Sequence, residues 1–175
     1  IASVHFYDFK FGGYGALDDN FDKLFSVISD NTKKNMPVWI TETGWPNIDV
    51  FQKGNMKVEL YSDEQEQASI LVKTFVKNMY FGIDKWFCYD FEDDGTDEDN
   101  AEHNFGLVNY GKHDSKVPLG AKASYAAIAN MNSLVGNFNS VSHEETENKT
   151  QIYGFKSENA TNCYVLWNDN GVYPC

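Results

Sequence analysis

The sequence predicts an α/β fold that passes into a short antiparallel β segment, and three observations carry that prediction. Strand-like and helix-period runs alternate over residues 1–91 in the order strand, helix, strand, helix, strand, the rhythm of a parallel sheet. The run Pro37-Val38-Trp39-Ile40-Thr41 leads to one carboxylate, Glu42, before Gly44 and Pro46 stop it, as in a strand buried on both faces. After Gly136 the character changes: residues 150–156 and 162–167 are short β-rich runs set between polar, turn-rich stretches.

Each element has a local reason. Ile1-Ala2-Ser3-Val4-His5-Phe6-Tyr7 reads as a strand, and a period of two sets His5 and Tyr7 on one face. Residues 8–15, with three glycines among aromatics, read as a loop on the substrate side. Phe21, Leu24, Phe25, Val27 and Ile28 recur at helical spacing, with Asp18 or Asp19 as the cap. After the Glu42 strand, residues 47–60 read as a polar loop. Ser62-Asp63-Glu64-Gln65 then looks like an N-cap with acids in the first turn of a helix running to about residue 80. Its stripe of Ala68, Leu71, Val72, Phe75, Val76 and Met79 reads as core, and Gly82 ends it. Residues 84–91 form the third strand. They feed an acid-dense loop, 92–99, that lacks the ligand alternation of a calcium loop and reads as a solvated charge run. A last helix is expected over 121–134.

Composition narrows the function. With 42% hydrophobic and 15% aromatic residues, the 175-residue chain is a globular protein with a sizeable core. Its 14 basic against 26 acidic residues give a net charge of -12, which excludes nucleic acid and anionic membrane as partners and leaves neutral polysaccharide acceptable. No apolar run is long enough to span a bilayer and no basic-then-apolar leader opens the chain, so it is expected to be soluble, without membrane insertion or signal peptide. Three cysteines and four histidines show no metal spacing. Cys163 and Cys175 bracket a hairpin-like segment and are expected to form a disulfide, whereas Cys88 reads as a small buried side chain. Asn148 and Asn159 open two N-glycosylation sequons, which suggests a secreted, extracellular or lysosome-like address.

Glu42 is the residue of interest. A lone Glu at a strand end is either a capping or salt-bridged carboxylate or a reacting one. Trp39 and Trp45 on either side favour the second reading, because indoles stack on sugar rings.

Val38-Trp39-Ile40-Thr41-Glu42-Thr43-Gly44-Trp45-Pro46 resembles the seventh-strand nucleophile motif of retaining glycoside hydrolases of the clan A barrel type. The resemblance implies that residues 1–136 are the C-terminal part of a (β/α)8 TIM barrel, strands six to eight. Residues 137–175 would then be a partial accessory domain, the start of a small antiparallel β-sandwich. Glu42 would be the catalytic nucleophile, Tyr7 its hydrogen-bond partner, and His5, Trp45 and Tyr89 the lining of the sugar subsite, with Tyr89 standing where a tryptophan platform is usual. His5 and Tyr7 read equally well as ordinary strand residues when Glu42 is set aside. Asp93, Asp94 and Glu102 would lie on the substrate side, where they bind sugar hydroxyls or are simply solvated. In that clan the acid/base follows an asparagine, and these 175 residues contain no Asn-Glu dipeptide. The reading is therefore a retaining glycosidase on a β-linked polysaccharide or oligosaccharide, without cofactor. Its acid/base would come from a missing N-terminal half of the same barrel. The alternative is a non-catalytic carbohydrate-binding or structural surface protein derived from such an enzyme.

Overall fold

A computed structural model of the chain describes residues 1–7, 17–31, 36–111, 120–138, 140–157 and 162–168. Its centre is a parallel sheet of β1 (Ala2–His5), β2 (Val38–Thr43) and β5 (Lys85–Cys88), in the order β1-β2-β5. β2 lies between the other two because its Val, Ile and Thr side chains suit a central pleated strand. Among the described residues these strands do not close into a barrel; the sheet ends at β1 and β5.

α1 (Leu17–Asn31) joins β1 to β2 and α2 (Glu64–Tyr80) precedes β5. Phe21 of α1 and Ile40 of β2 are fully buried together, with Phe6, Phe81, Ile83 and Trp86 packed around them. α1 starts at Leu17, so Asp18 and Asp19 fall inside its first turn rather than at its cap. α2 begins where the sequence suggests: the Asp63 carboxylate accepts from the Gln65 and Glu66 amides at 2.9 and 2.8 Å, satisfying two of the donors a helix start leaves open. It ends in a Schellman turn. Gly82 takes φ +73°, its N–H reaches the Met79 carbonyl, and the Ile83 N–H reaches the Asn78 carbonyl.

Between β2 and α2 the chain departs from expectation. Residues 47–60 are not an open loop but carry a hairpin, β3 (Val50–Lys53) and β4 (Met56–Glu59), closed by the two-residue turn Gly54-Asn55. Phe51 is buried beneath it with Met56, Val58 and Leu60 packed around the same cluster. The third parallel strand is shorter than expected, ending at Cys88, and a 3-10 turn at Ala101–His103 follows the acidic stretch.

The C-terminal region is built onto α2 and α3 (Ala123–Val135). β6 (Ser140–Glu145), β7 (Thr150–Lys156) and β8 (Asn162–Asn168) form an antiparallel meander in which β6 adds a strand that the sequence did not announce. Its inner face, with Tyr153 and Phe155, packs on Val76, Met131 and Val135 of the two helices. Helices therefore cover this sheet where a second sheet was expected. His143, Tyr153 and Trp167 stack in sequence across its strands, with centroids 4.4 and 4.9 Å apart. Cys163 is an unbridged thiol packed beside that cluster, and Cys175 and Asn159 lie outside the described residues. Asn148 is exposed in the β6–β7 turn, where its side-chain oxygen accepts from the Thr150 hydroxyl at 3.0 Å. Among the described residues no helix is long and apolar enough to cross a membrane.

Candidate active site

The position of Glu42 follows from the register of β1 on β2. The strands pair from Ala2↔Val38 to Val4↔Ile40 and then shift, so that His5 pairs with Glu42 and Thr41 becomes an extra residue on β2. Such a bulge re-aims the side chains beyond it. The Phe6 N–H continues the ladder to the Glu42 carbonyl at 2.9 Å.

Both carboxylate oxygens of Glu42 are engaged. The Tyr7 hydroxyl donates to Oε1, and His5 Nδ1 lies 3.1 Å from Oε2. The Glu42 side chain is 31% exposed and that of His5 63%, so the carboxylate is anchored from below and reachable from solvent. Tyr7 is only 7% exposed and meets Phe105 and Tyr89 edge-on, with centroids 5.9 and 6.4 Å away. Burial, and then the hydrogen bond to Glu42, raise its pKa well above the ordinary phenol value. The phenol therefore stays a neutral donor. It can hold the carboxylate without cancelling its charge.

Tyr89 stands next along the rim. Its N–H donates to the Thr43 carbonyl at 2.6 Å, and the Tyr89–Asp90 peptide bond is cis. Gly44 makes this approach possible, since a Cβ there would lie 1.8 Å from the Tyr89 carbonyl oxygen. The Tyr89 ring meets Phe105 edge-on at 5.3 Å, and its hydroxyl is 3.5 Å from both Asp94 Oδ2 and Glu102 Oε2. Burial and then the neighbouring Glu102 push its pKa up to about 12. Glu102 is paired in turn with Lys53 of the hairpin at 3.1 Å. Lys53 escaped the sequence reading with its strand, although Gly54-Asn55 between alternating residues was a hairpin signal.

Two other residues sit differently from what the sequence suggested. Trp45 is 6% exposed and belongs to the same buried cluster as Tyr7, Phe51 and Phe105, so its indole lies in the core behind the site. Asp93 is not solvated. Its Oδ1 lies 2.6 Å from Lys122 Nζ and accepts the Gly106 N–H at 2.8 Å, with the Asp93 and Lys122 side chains 8% and 1% exposed. Lys122 also donates to Asn47 Oδ1 at 2.7 Å. Burial outweighs the lysine and holds the Asp93 pKa above the usual carboxylate range. A second buried polar link joins α2 to α3: Gln67 donates to the Trp45 carbonyl at 2.9 Å and accepts from the Ser124 hydroxyl at 2.9 Å. These links fasten the segment after β2, the loop after β5 and the two helices to one another.

A cleft of about 1020 Å³ has acids and amides such as Asn47, Asp49, Asp63 and Asp99 in its wall and does not include His5, Tyr7 or Glu42. Volume alone therefore does not single out Glu42; its doubly engaged, accessible carboxylate does.

No protein-family model and no curated protein matches the chain. Among solved structures it is similar to a β-glucosidase from Exiguobacterium marinum, with 10% identity and a TM-score of 0.43 over 69% of this chain and 26% of that one. It is also similar to the GH1 β-glucosidase from Exiguobacterium antarcticum B7, with 12% identity and a TM-score of 0.43 over 70% of this chain and 26% of that one. The chain spans about a quarter of the length of these two structures. A likeness of that extent is distant and partial, and it does not assign the chain to a family.

Proposed function

We propose that Glu42 is the nucleophile of a retaining glycoside hydrolase site acting on a β-linked polysaccharide or oligosaccharide. The observation that carries this reading is the carboxylate itself, held by a phenol donor and an imidazole at the end of a parallel strand with one side open to solvent. The motif resemblance around Glu42 supports it independently.

The chemistry asked of the site is defined. A Glu42 oxygen attacks the anomeric carbon while the glycosidic C–O bond breaks, and its electron pair leaves on the aglycone oxygen, which takes a proton from an acid/base. Water then gives a proton back to that acid/base and displaces the carboxylate, and configuration is retained. Tyr7 fixes the attacking rotamer through a charge-assisted hydrogen bond. His5 and the Tyr89 ring flank the sugar, and Trp45 supports Tyr7 from the core. The acid/base would come from a segment outside these 175 residues, the N-terminal half of the same barrel, within about 5–5.5 Å of Glu42. On this reading the protein works outside the cell or in a lysosome-like compartment.

The second reading is a glycan-binding protein without turnover; an Asn-Glu dipeptide at a strand end in longer upstream sequence favours the enzyme, and its absence there favours the binder. One experiment separates the two. The complete protein is incubated with a 2-deoxy-2-fluoro-β-glycosyl fluoride and digested for peptide mass mapping. A glycosyl adduct on the peptide holding Glu42 is the expected result. An adduct on another carboxylate overturns the assignment, and glycan binding without any adduct selects the second reading.

A further inference from the structure

The cleft of about 1020 Å³ runs between the segment joining β2 to α2 and the loop after β5, with Asp49, Asp63, Glu64, Asp93, Glu98 and Asp99 in its wall. Among the described residues that line it there is no lysine, arginine or histidine, and its volume is that of a small-molecule site. Acids alone would make it a solvated surface. Two buried oxygens set this wall apart.

Asp93 and Asn104 both line the cleft, at 7% and 9% exposure. Asp93 receives the Gly106 N–H and the Lys122 ammonium on the same oxygen, Oδ1, at 2.8 and 2.6 Å, and among the described residues nothing donates to its Oδ2. Asn104 spends its Nδ2 on the carbonyls of Asp97 and Asn100 at 3.0 and 2.8 Å, and among the described residues its Oδ1 likewise accepts nothing. A carboxylate offers about four acceptor positions and an amide oxygen about two, so each side chain has a vacant acceptor at the cleft wall. A buried acceptor without a donor is costly, and here a ligand in the cleft is placed to supply one. Burial first, and the Glu64 charge as well, hold the Asp93 pKa above the usual carboxylate range, which an added positive donor would relieve.

The form of the positive charge follows from the spread of the acids. Among the described residues no three acids come together closely enough to hold a metal ion. Ammonium groups spaced along a flexible chain suit such a wall better than one compact ion. Val50 gives apolar surface to the methylenes between them, and the Tyr110 ring, 41% exposed, offers a face to an ammonium.

We propose that this cleft binds a linear polyamine, its ammonium groups donating to Asp93 Oδ2, Asn104 Oδ1 and the carboxylates of the rim. The inference does not depend on the chemistry of Glu42, which is not in the cleft wall.

The test is calorimetric titration of the complete protein with spermidine at low ionic strength, where exposed charges are least screened. One molecule should bind saturably per chain. Asp49→Asn combined with Asp99→Asn, both exposed positions, should weaken binding by about fivefold to tenfold and leave the fold intact. Asp22→Asn combined with Glu144→Gln removes the same charge from exposed positions outside the cleft wall and should leave binding unchanged. Asp93→Asn keeps the shape and turns a carboxylate oxygen into a donor, and should weaken binding by at least tenfold, with urea unfolding as the check on the fold. If that variant does not fold, the two charge-paired variants decide. No saturable binding, equal weakening by both pairs, or tighter binding of calcium or of trilysine than of spermidine would overturn the proposal.

Discussion

Glu42 and Asp93 are both carboxylates held by side chains of the fold, and the fold gives them opposite partners. Asp93 is sealed with a lysine ammonium 2.6 Å away, at 8% exposure, and its charge is neutralised where it stands. Glu42 is 31% exposed and held by a phenol that keeps its proton and by an imidazole open to solvent. A full countercharge makes a carboxylate a structural tie, because moving its electrons would strand a buried cation. A neutral donor such as the Tyr7 phenol fixes its position and leaves its charge for a reaction. Partner charge and access, rather than burial alone, separate a group that can react from one that fastens the frame.

The contrast is open to breaking. Glu42→Gln in the complete protein should lower kcat by several orders of magnitude and leave the urea unfolding midpoint unchanged; near-normal turnover would end its role as nucleophile. Lys122→Met should act the other way round, costing about 3–5 kcal/mol in urea unfolding because Asp93 is left buried and unpaired. Adding Asp93→Asn to that variant should recover part of the loss, and a double variant no more stable than Lys122→Met would contradict the pairing.

Tyr7→Phe lies between the two. Loss of a hydrogen bond to a charged group is worth about 1.5–3 kcal/mol, so kcat should fall by about tenfold to a hundredfold with the fold retained. Alkaline titration sharpens the same point for the rim. Tyr89 has its pKa raised from 10.0 to about 12, so the native state holds the phenol proton more tightly than the unfolded chain. Its contribution to stability is complete below pH 10 and is lost as pH rises through about 12. Tyr89→Phe should flatten that decline, and an unchanged slope would place the titrating group elsewhere. The smallest effect belongs to a residue outside both regions. Asp63→Ala should cost about 1 kcal/mol of stability through the lost cap of α2, with turnover untouched.

The alternation of strands and helices, the Asp63 cap and the Gly82 stop were legible in the sequence because each depends on a handful of neighbouring residues. So was the placing of His5 and Tyr7 on one face, a matter of strand period alone. The β3–β4 hairpin carried a readable turn, Gly54-Asn55, hidden by the polar residues around it. β6 was masked by its Ser, His and Glu content, which suits an outer strand with one face exposed.

Other features had no local signal. Whether His5 meets Glu42 depends on the register shift at Thr41, which is a property of two strands together. Trp45 lies in the core because Leu71, Phe105 and Ile128 come from distant segments to join its cluster. Asp93 and Lys122 stand 29 positions apart, and no spacing rule links residues at that separation. The sequence by itself determined which segments become strand and helix and which carboxylate ends the central strand, since backbone propensity and capping act over one or two turns of chain. Only the tertiary structure decided which carboxylate was neutralised and which left open, because desolvation and countercharge depend on what distant parts of the chain bring alongside.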